Sequence, residues 1–141
     1  MLLAQARPGL SRPDPIDSAR LFFLAGDLSK AQQQARACAR KRHVPCKTMV
    51  QRLTWYAELA RRLDSLTPGE ARTFLQLDRA ISPSATGKLT QQMLEHFVTT
   101  PLELARRHAA SGRPESARLI AQRVLVVDPS NAEAKRLSAP P

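Results

Sequence analysis

This 141-residue chain is poor in several residue types, and each shortage excludes a class of protein. Aromatic residues make up only 4% of it, while Ala, Leu, Arg and Gln fill the stretches between prolines, which favours helices over strands. The longest apolar runs, 21–25 and 124–127, are far shorter than the roughly 20 residues of a membrane span. The sequence therefore predicts an all-α protein with no membrane-spanning segment.

Cysteine is also scarce, since Cys38 and Cys46 are the only two. Two cysteines are too few for a disulfide framework, although their spacing permits a bridge around a turn. We interpret both as free thiols and expect Cys38 to be buried in its helix. Together with His43 they lack the four ligands of a structural zinc site, so we predict no metal and no cofactor. The N-terminus lacks the pattern of a secretory signal, and we predict a cytoplasmic location.

Acidic residues are absent between Leu28 and Ala57, in a chain whose formal net charge is +10. Such a segment is either a solvated helix face or a surface for an anionic partner, because uncompensated like charges repel one another. Nucleic acid is one such partner, bound through its phosphates. The cations of this basic segment are Lys30, Arg36, Arg40, Lys41, Arg42, Lys47 and Arg52.

Start and stop signals divide the chain into a series of helices. The most specific is Thr67–Glu70, where threonine, proline and glutamate fit an N-cap, a first helical position and a capping box. We expect Pro45 and Pro101 to interrupt helices. The predicted helices span 17–25, 29–43, 46–63, 68–81, 89–98, 101–111, 114–127 and a short segment ending near 137. Residues 1–15 are expected to be a flexible Pro-rich tail or linker, 16–137 a helical domain, and 138–141 a tail.

One segment occurs twice at a constant offset. Each copy has a helix with small residues, a glycine, and a second helix with alanines at fixed steps. The matched residues are Ala19, Gly26, Ala31 and Ala35 in the first copy and Ala105, Gly112, Ala117 and Ala121 in the second. A repeated helical hairpin favours a binding scaffold over an enzyme.

The second copy, 101–135, resembles a tetratricopeptide repeat. Gly112 closes its first helix, Ala117 and Ala121 follow at the expected steps, and 128–131 supply an Asp-Pro ending. The copies are degenerate, because Pro101 replaces the early aromatic residue and the first copy ends without Asp-Pro. The resemblance implies helical hairpins packed as a short right-handed α-solenoid of tetratricopeptide type.

The same resemblance implies where a partner would bind. The first helix of each hairpin lines the concave surface of such a solenoid, and the matched Arg20 and Arg106 would face it. Arginine presents a planar fork of donors that suits carboxylates, and Phe23 would add apolar contact. We therefore predict that Arg20, Phe23 and Arg106 bind an acidic or C-terminal peptide segment of another protein.

Motifs for catalysis are missing: the sequence has no Gly-rich phosphate loop, no serine-centred elbow and no close pair of carboxylates in a hairpin, and we expect Asp14 and Asp17 to be exposed. Trp55 and Tyr56 could stack a nucleic-acid base, but on an amphipathic helix we interpret both as core. The sequence thus predicts a non-catalytic adaptor or scaffold, as a subunit or fragment of a larger bacterial assembly. The alternative is a basic nucleic-acid-binding regulator that uses residues 30–52.

Overall fold

A computed structural model describes residues 14–41 and 44–140. Their helices are α1 (Pro15–Leu24), α2 (Leu28–Ala39), α3 (Val44–Ala60), α4 (Pro68–Ile81), α5 (Lys88–Leu94), α6 (Thr100–Ala110), α7 (Pro114–Val127) and α8 (Ala132–Ser138). No strand occurs in these ranges, so the all-α prediction is confirmed for them. The predicted tail at 1–15 lies outside the described residues except for Asp14 and Pro15, which belong to α1 as its N-cap and first residue.

A side-chain cap fixes the start of α4 as the sequence predicts. Thr67 accepts a hydrogen bond from the Glu70 N–H, and Glu70 accepts one from the Thr67 N–H, so the predicted capping box of α4 is confirmed. Glu70 also pairs with Arg62, and these hydrogen bonds lower the pKa of the Glu70 carboxyl to about 2. Both partners lie at the surface, where such pairs stabilise a fold little.

Glycines close both hairpins in the conformation that the repeat predicts. Gly26 has φ +86° and Gly112 has φ +75°, a region that side chains with a Cβ rarely adopt. The matched alanines of both copies are all buried, where α1 meets α2 and where α6 meets α7. Small side chains at these positions let the helix axes approach closely, as expected.

The predicted break between the second and third helices is confirmed, but it lies earlier than expected, because α2 ends at Ala39 and α3 already begins at Val44. Proline is tolerated in the first turn of a helix, where its missing N–H would have no intrahelical partner. The helix also ends earlier than predicted, at Ala60, and a short 3₁₀ turn, Leu63–Ser65, follows it. Pro45 therefore lies in the first turn of α3, whereas the sequence predicted that it would precede the helix.

The predicted break at Pro101 is also wrong. Helix α5 continues into α6 through a π-helical segment, Glu95–Thr99, in which the Thr100 N–H donates to the Glu95 carbonyl five residues back. Pro101 has no N–H for the Phe97 carbonyl and its ring would collide with that carbonyl in a regular α-helix. The wider π turn accommodates the proline, so one helix runs through it.

The two cysteines form a disulfide, so the prediction of free thiols is wrong. The Cys38 and Cys46 Cα atoms lie 5.7 Å apart, and the bond joins the last turn of α2 to the first turn of α3. Both residues are buried, as predicted for Cys38. The bridge closes the short turn that the spacing had permitted.

The helices pack around one hydrophobic core. Helices α1, α2 and α3 are neighbours, as are α6, α7 and α8, and α4 contacts both α3 and α7. At the centre the Tyr56 ring stacks on Phe74 at 4.0 Å and meets the edge of Phe23 at 4.7 Å. The buried cluster extends from Ala19 to Ala134. Assembly of these helices as a right-handed solenoid stays a prediction.

Candidate functional site

Arg20 does not extend freely into a groove. Its Nε donates to the carbonyl oxygen of Ile81 at 2.9 Å, and its Nη1 pairs with Asp17 at 3.0 Å. The first contact satisfies a carbonyl at the C-terminal end of α4, where no intrahelical donor remains. Arg20 therefore ties α1 to α4.

Arg106 is held by Glu133 in a bidentate pair. The Nε and Nη2 atoms of Arg106 lie 2.5 and 2.9 Å from the two carboxylate oxygens. Hydrogen bonds to the guanidinium lower the pKa of Glu133, and the same bonds raise that of Arg106. The donors that the repeat predicts for a partner's carboxylate thus bind a carboxylate of α8.

Phe23 is 1% exposed and packs against Tyr56 in the core. This corrects its assignment as a partner-binding residue, because a buried ring cannot contact a partner. The opposite correction applies to Trp55, which is 53% exposed, whereas Tyr56 is buried as predicted. Trp55 lies on the side of α3 that faces away from the core.

Some cations of the basic segment have a partner within the fold, and others have none within the described residues. Lys30 lies 3.9 Å from Asp27 and over the Phe22 ring, and Arg52 donates to the Ala80 carbonyl at 3.5 Å. Arg42 lies outside the described residues. Lys30 is exposed as well, but Arg36, Arg40, Lys41 and Lys47, around the junction of α2 and α3, are exposed and have no carboxylate partner within the described residues.

A groove that the sequence did not predict lies between α6 and α7. It has a volume of about 370 Å³, and Pro68 at the start of α4 also lines it. Leu104 on its wall is 46% exposed. The lining residues are Pro68, His96, Phe97, Thr100, Pro101, Leu104, Ile120, Arg123, Val124 and Val127.

The π segment helps to form this groove. It contributes His96 and Phe97, which line the groove together with Thr100 and Leu104 of α6. Short π-helical segments are frequent at functional sites, because their wider turn redirects side chains within an otherwise regular helix. The spacing of Phe97 and Leu104, two turns apart on one face, is the signal that could have predicted a continuous helix here.

The charged lining of the groove is cationic. Arg123 is exposed on α7, and the lining includes His96 but no Asp or Glu. An arginine beside an apolar wall suits a ligand with an apolar side chain and a carboxylate, since the guanidinium can donate two parallel hydrogen bonds. The arrangement is thus suited to binding.

Buried polar groups form a separate network in the core. Asp78, 1% exposed, accepts a hydrogen bond from the Gly87 N–H at 2.9 Å, and the Tyr56 hydroxyl lies 2.6 Å from that of Thr90. Burial raises the pKa of Asp78, against the effect of the hydrogen bonds from Gly87 and Thr90. A Cβ at Gly87 would lie 2.9 Å from the Phe23 ring. The network therefore holds the 82–87 loop against the core.

No family model, curated protein or solved structure matches this chain. In residues 14–41 and 44–140, no group of three or more His, Cys, Asp or Glu side chains could hold a metal ion. Among the helices described above, none has the length and apolarity needed to cross a bilayer. We take the groove between α6 and α7 as the candidate functional site, because it combines an apolar wall with an exposed arginine.

Proposed function

We propose that this protein is a non-catalytic interaction module that binds an acidic or C-terminal peptide segment of a partner protein. The observation that carries the proposal is the groove between α6 and α7, with its apolar wall and cationic edge. Arg20 and Arg106, which were predicted to bind the carboxylate, are engaged within the fold. The proposal therefore assigns that role to Arg123. The module would act as an adaptor or scaffold within a larger assembly.

In this proposal an apolar side chain of the peptide packs against Phe97, Leu104 and Ile120. Burial of such an anchor supplies most of the affinity, because each square ångström of apolar surface removed from water contributes roughly 25 cal/mol. The peptide carboxylate then pairs with Arg123, which fixes the orientation. The formal net charge of +10 favours encounter with acidic segments.

The repeated hairpins support this class of function. Close helix pairs with glycine turns are typical of modules that present rigid helical surfaces to other proteins. The grooved hairpin, α6 and α7, is the copy that resembles a tetratricopeptide repeat more fully. The proposed ligand is the predicted one, but its site lies between α6 and α7 and includes no residue of α1.

The proposal also includes a cellular compartment, and this compartment differs from the cytoplasm that the sequence predicted. Disulfides persist in oxidising surroundings and are rare in the cytosol, where thiols are kept reduced. The bond between Cys38 and Cys46 therefore favours an oxidising compartment.

A peptide-binding assay tests the proposal. The probes are fluorescein-labelled octapeptides that end in Glu-Leu with a free carboxylate, and the same peptides with a C-terminal amide. We expect anisotropy to show binding of the free acids, with Leu104→Glu and Arg123→Gln each weakening it at least about tenfold. Amidation should cost a similar factor if the carboxylate pairs with Arg123.

The matched control is Leu119→Glu, which places the same substitution at another exposed leucine of the same hairpin, outside the groove lining. It should leave the affinity unchanged. Equal losses for Leu119→Glu and Leu104→Glu, or indifference to both amidation and Arg123→Gln, would contradict the groove as the site.

A further inference from the structure

We propose that the junction of α2 and α3 binds the anionic surface of a phospholipid bilayer. We call this surface the cationic end and define it by Arg36, Arg40, Lys41, Val44 and Lys47. The proposal is independent of the groove between α6 and α7, which belongs to the other hairpin. It requires no helix to cross the membrane.

Four cations of the cationic end face solvent. Arg36, Arg40, Lys41 and Lys47 are all exposed, and none of them pairs with a carboxylate within the described residues. Each lies within about two helical turns of the Cys38–Cys46 bond along its own chain segment. The bond holds the two segments together against the repulsion of their charges.

Carboxylates near the cationic end are already engaged. At the start of α1, which packs on α2, Asp14 caps the helix by accepting from the Ile16 N–H, and Asp17 pairs with Arg20. Asp27 lies at the opposite end of α2, and Glu58 lies about 16 Å farther along α3 than Lys47. The local field is therefore positive, and it suits a surface of closely spaced negative charges.

An exposed apolar residue distinguishes this surface from a purely ionic one. Val44 begins α3 and is 68% exposed, between the cations of α2 and Lys47. Apolar side chains flanked by Lys and Arg are typical of segments that rest in the headgroup region of a bilayer. The phosphate backbone of a nucleic acid offers no apolar region in which this valine could be buried.

The disulfide favours a bilayer over nucleic acid. A buried Cys38–Cys46 bond indicates an oxidising compartment, where membrane surfaces are present and nucleic acids are not the usual polyanion. Adjacent cations attract anionic lipids by an amount that corresponds to roughly fivefold in partitioning for each Lys or Arg. Four such residues acting together give a strong, salt-dependent attachment.

Vesicle co-sedimentation tests the proposal with the full chain and its disulfide intact. The probes are vesicles of 30% phosphatidylglycerol in phosphatidylcholine, vesicles of phosphatidylcholine alone, and a 20-base-pair DNA duplex. We expect binding only to the anionic vesicles at 0.15 M salt. Replacement of Arg36, Arg40, Lys41 and Lys47 by Gln should weaken it at least about 100-fold.

The control variant carries Gln at Arg72, Arg107, Arg113 and Lys135, which are exposed on α4, α6 and α8 and, for Arg113, at the N-cap of α7. Both variants lose four positive charges from the formal +10, so only the position of the charges differs. Circular dichroism establishes that both remain folded. Retained binding by the control alone would support the proposal. Equal losses in both variants, no binding to anionic vesicles, or tighter binding to the duplex than to the vesicles would each overturn it.

Discussion

At the scale of single residues, Asp78 is the one charged residue that is buried in the described part of the chain. Its carboxylate lies beside Gly87 and Thr90, and no cation of the described residues donates a hydrogen bond to it. Hydrogen bonds from the Gly87 N–H and the Thr90 hydroxyl offset part of the desolvation, but the pKa remains above its ordinary value. A buried acid of this kind holds a loop in place at a cost in stability when it is ionised.

The pH dependence of this cost has a definite sign. Because the folded pKa of Asp78 is raised, its stabilising contribution is complete below the unfolded pKa and is lost as pH rises through the folded pKa. Asp78→Asn removes the ionisation and keeps an oxygen for the Gly87 N–H. We expect this variant to be more stable, relative to wild type, at pH 7 than at pH 4. Urea unfolding at both pH values measures the difference.

Asp64→Asn serves as the comparison for that experiment, because Asp64 is exposed in the 3₁₀ turn. A pH-independent effect of Asp78→Asn, or an equal effect of Asp64→Asn, would show that burial does not set the pKa.

Predictions for single residues succeed where the residue determines backbone conformation or the spacing of helices. They fail where a side chain pairs with a residue that is distant in the sequence. Gly26, Gly112 and the repeated alanines are confirmed in their turns and contacts, because backbone conformation and helix spacing follow from the local sequence. The partner of Arg106 is Glu133, which lies in a different helix. No local pattern specifies that pairing.

At the scale of the elements, the caps and turns define most helix ends. The start of α4 at Pro68 was predicted from its capping box, and α7 has the predicted bounds. Two errors occur at prolines, because Pro45 and Pro101 were expected to interrupt helices, whereas Pro68 was correctly predicted to begin one. Pro45 lies in a first turn, and Pro101 is accommodated by a π segment.

The disulfide links α2 and α3 covalently, and the loss of stability on its removal can be calculated. Closing this short turn reduces the entropy of the unfolded chain, which corresponds to about 2–3 kcal/mol of stability. We expect Cys38→Ala/Cys46→Ala to lower the free energy of unfolding by about that amount. Urea unfolding of the oxidised protein and of the double variant measures it, and thiol titration of the wild type should find no reactive thiol until it is reduced.

A control separates the bond from the packing of its sulfur atoms. The wild type in the presence of reductant retains both side chains but loses the bond. If reduction leaves the unfolding midpoint unchanged, the bond contributes nothing to stability.

At the scale of the whole molecule, α4 connects the group of α1, α2 and α3 to the hairpin of α6 and α7. It packs on α3 in the first half and on α7 in the second, and Arg79 reaches Asp128 at the end of α7. The buried cluster is continuous across this contact. A chain with such a shared core should unfold as one unit, whereas a linear array can lose its ends separately.

Val124→Ala tests this coupling from the far side of the molecule. Val124 is buried on α7, and the loss of its methyl groups should cost about 2 kcal/mol. Trp55, the only tryptophan, lies on α3 and reports on the half of the molecule that contains α1, α2 and α3. We expect the midpoint from Trp55 fluorescence and the midpoint from far-UV circular dichroism to fall together. A fluorescence midpoint that stays at its wild-type value would show that the halves unfold independently.

The sequence by itself determined the helical class, the closure of both hairpins at glycine and the capping of α4. These features depend on residues close together in the chain, whose propensities and spacing act locally. Only the tertiary structure decided the partners of Arg20 and Arg106, the burial of Phe23, the exposure of Trp55 and the groove beside Arg123. Those features depend on which helix faces meet, because long-range packing selects among many pairings that the local sequence permits.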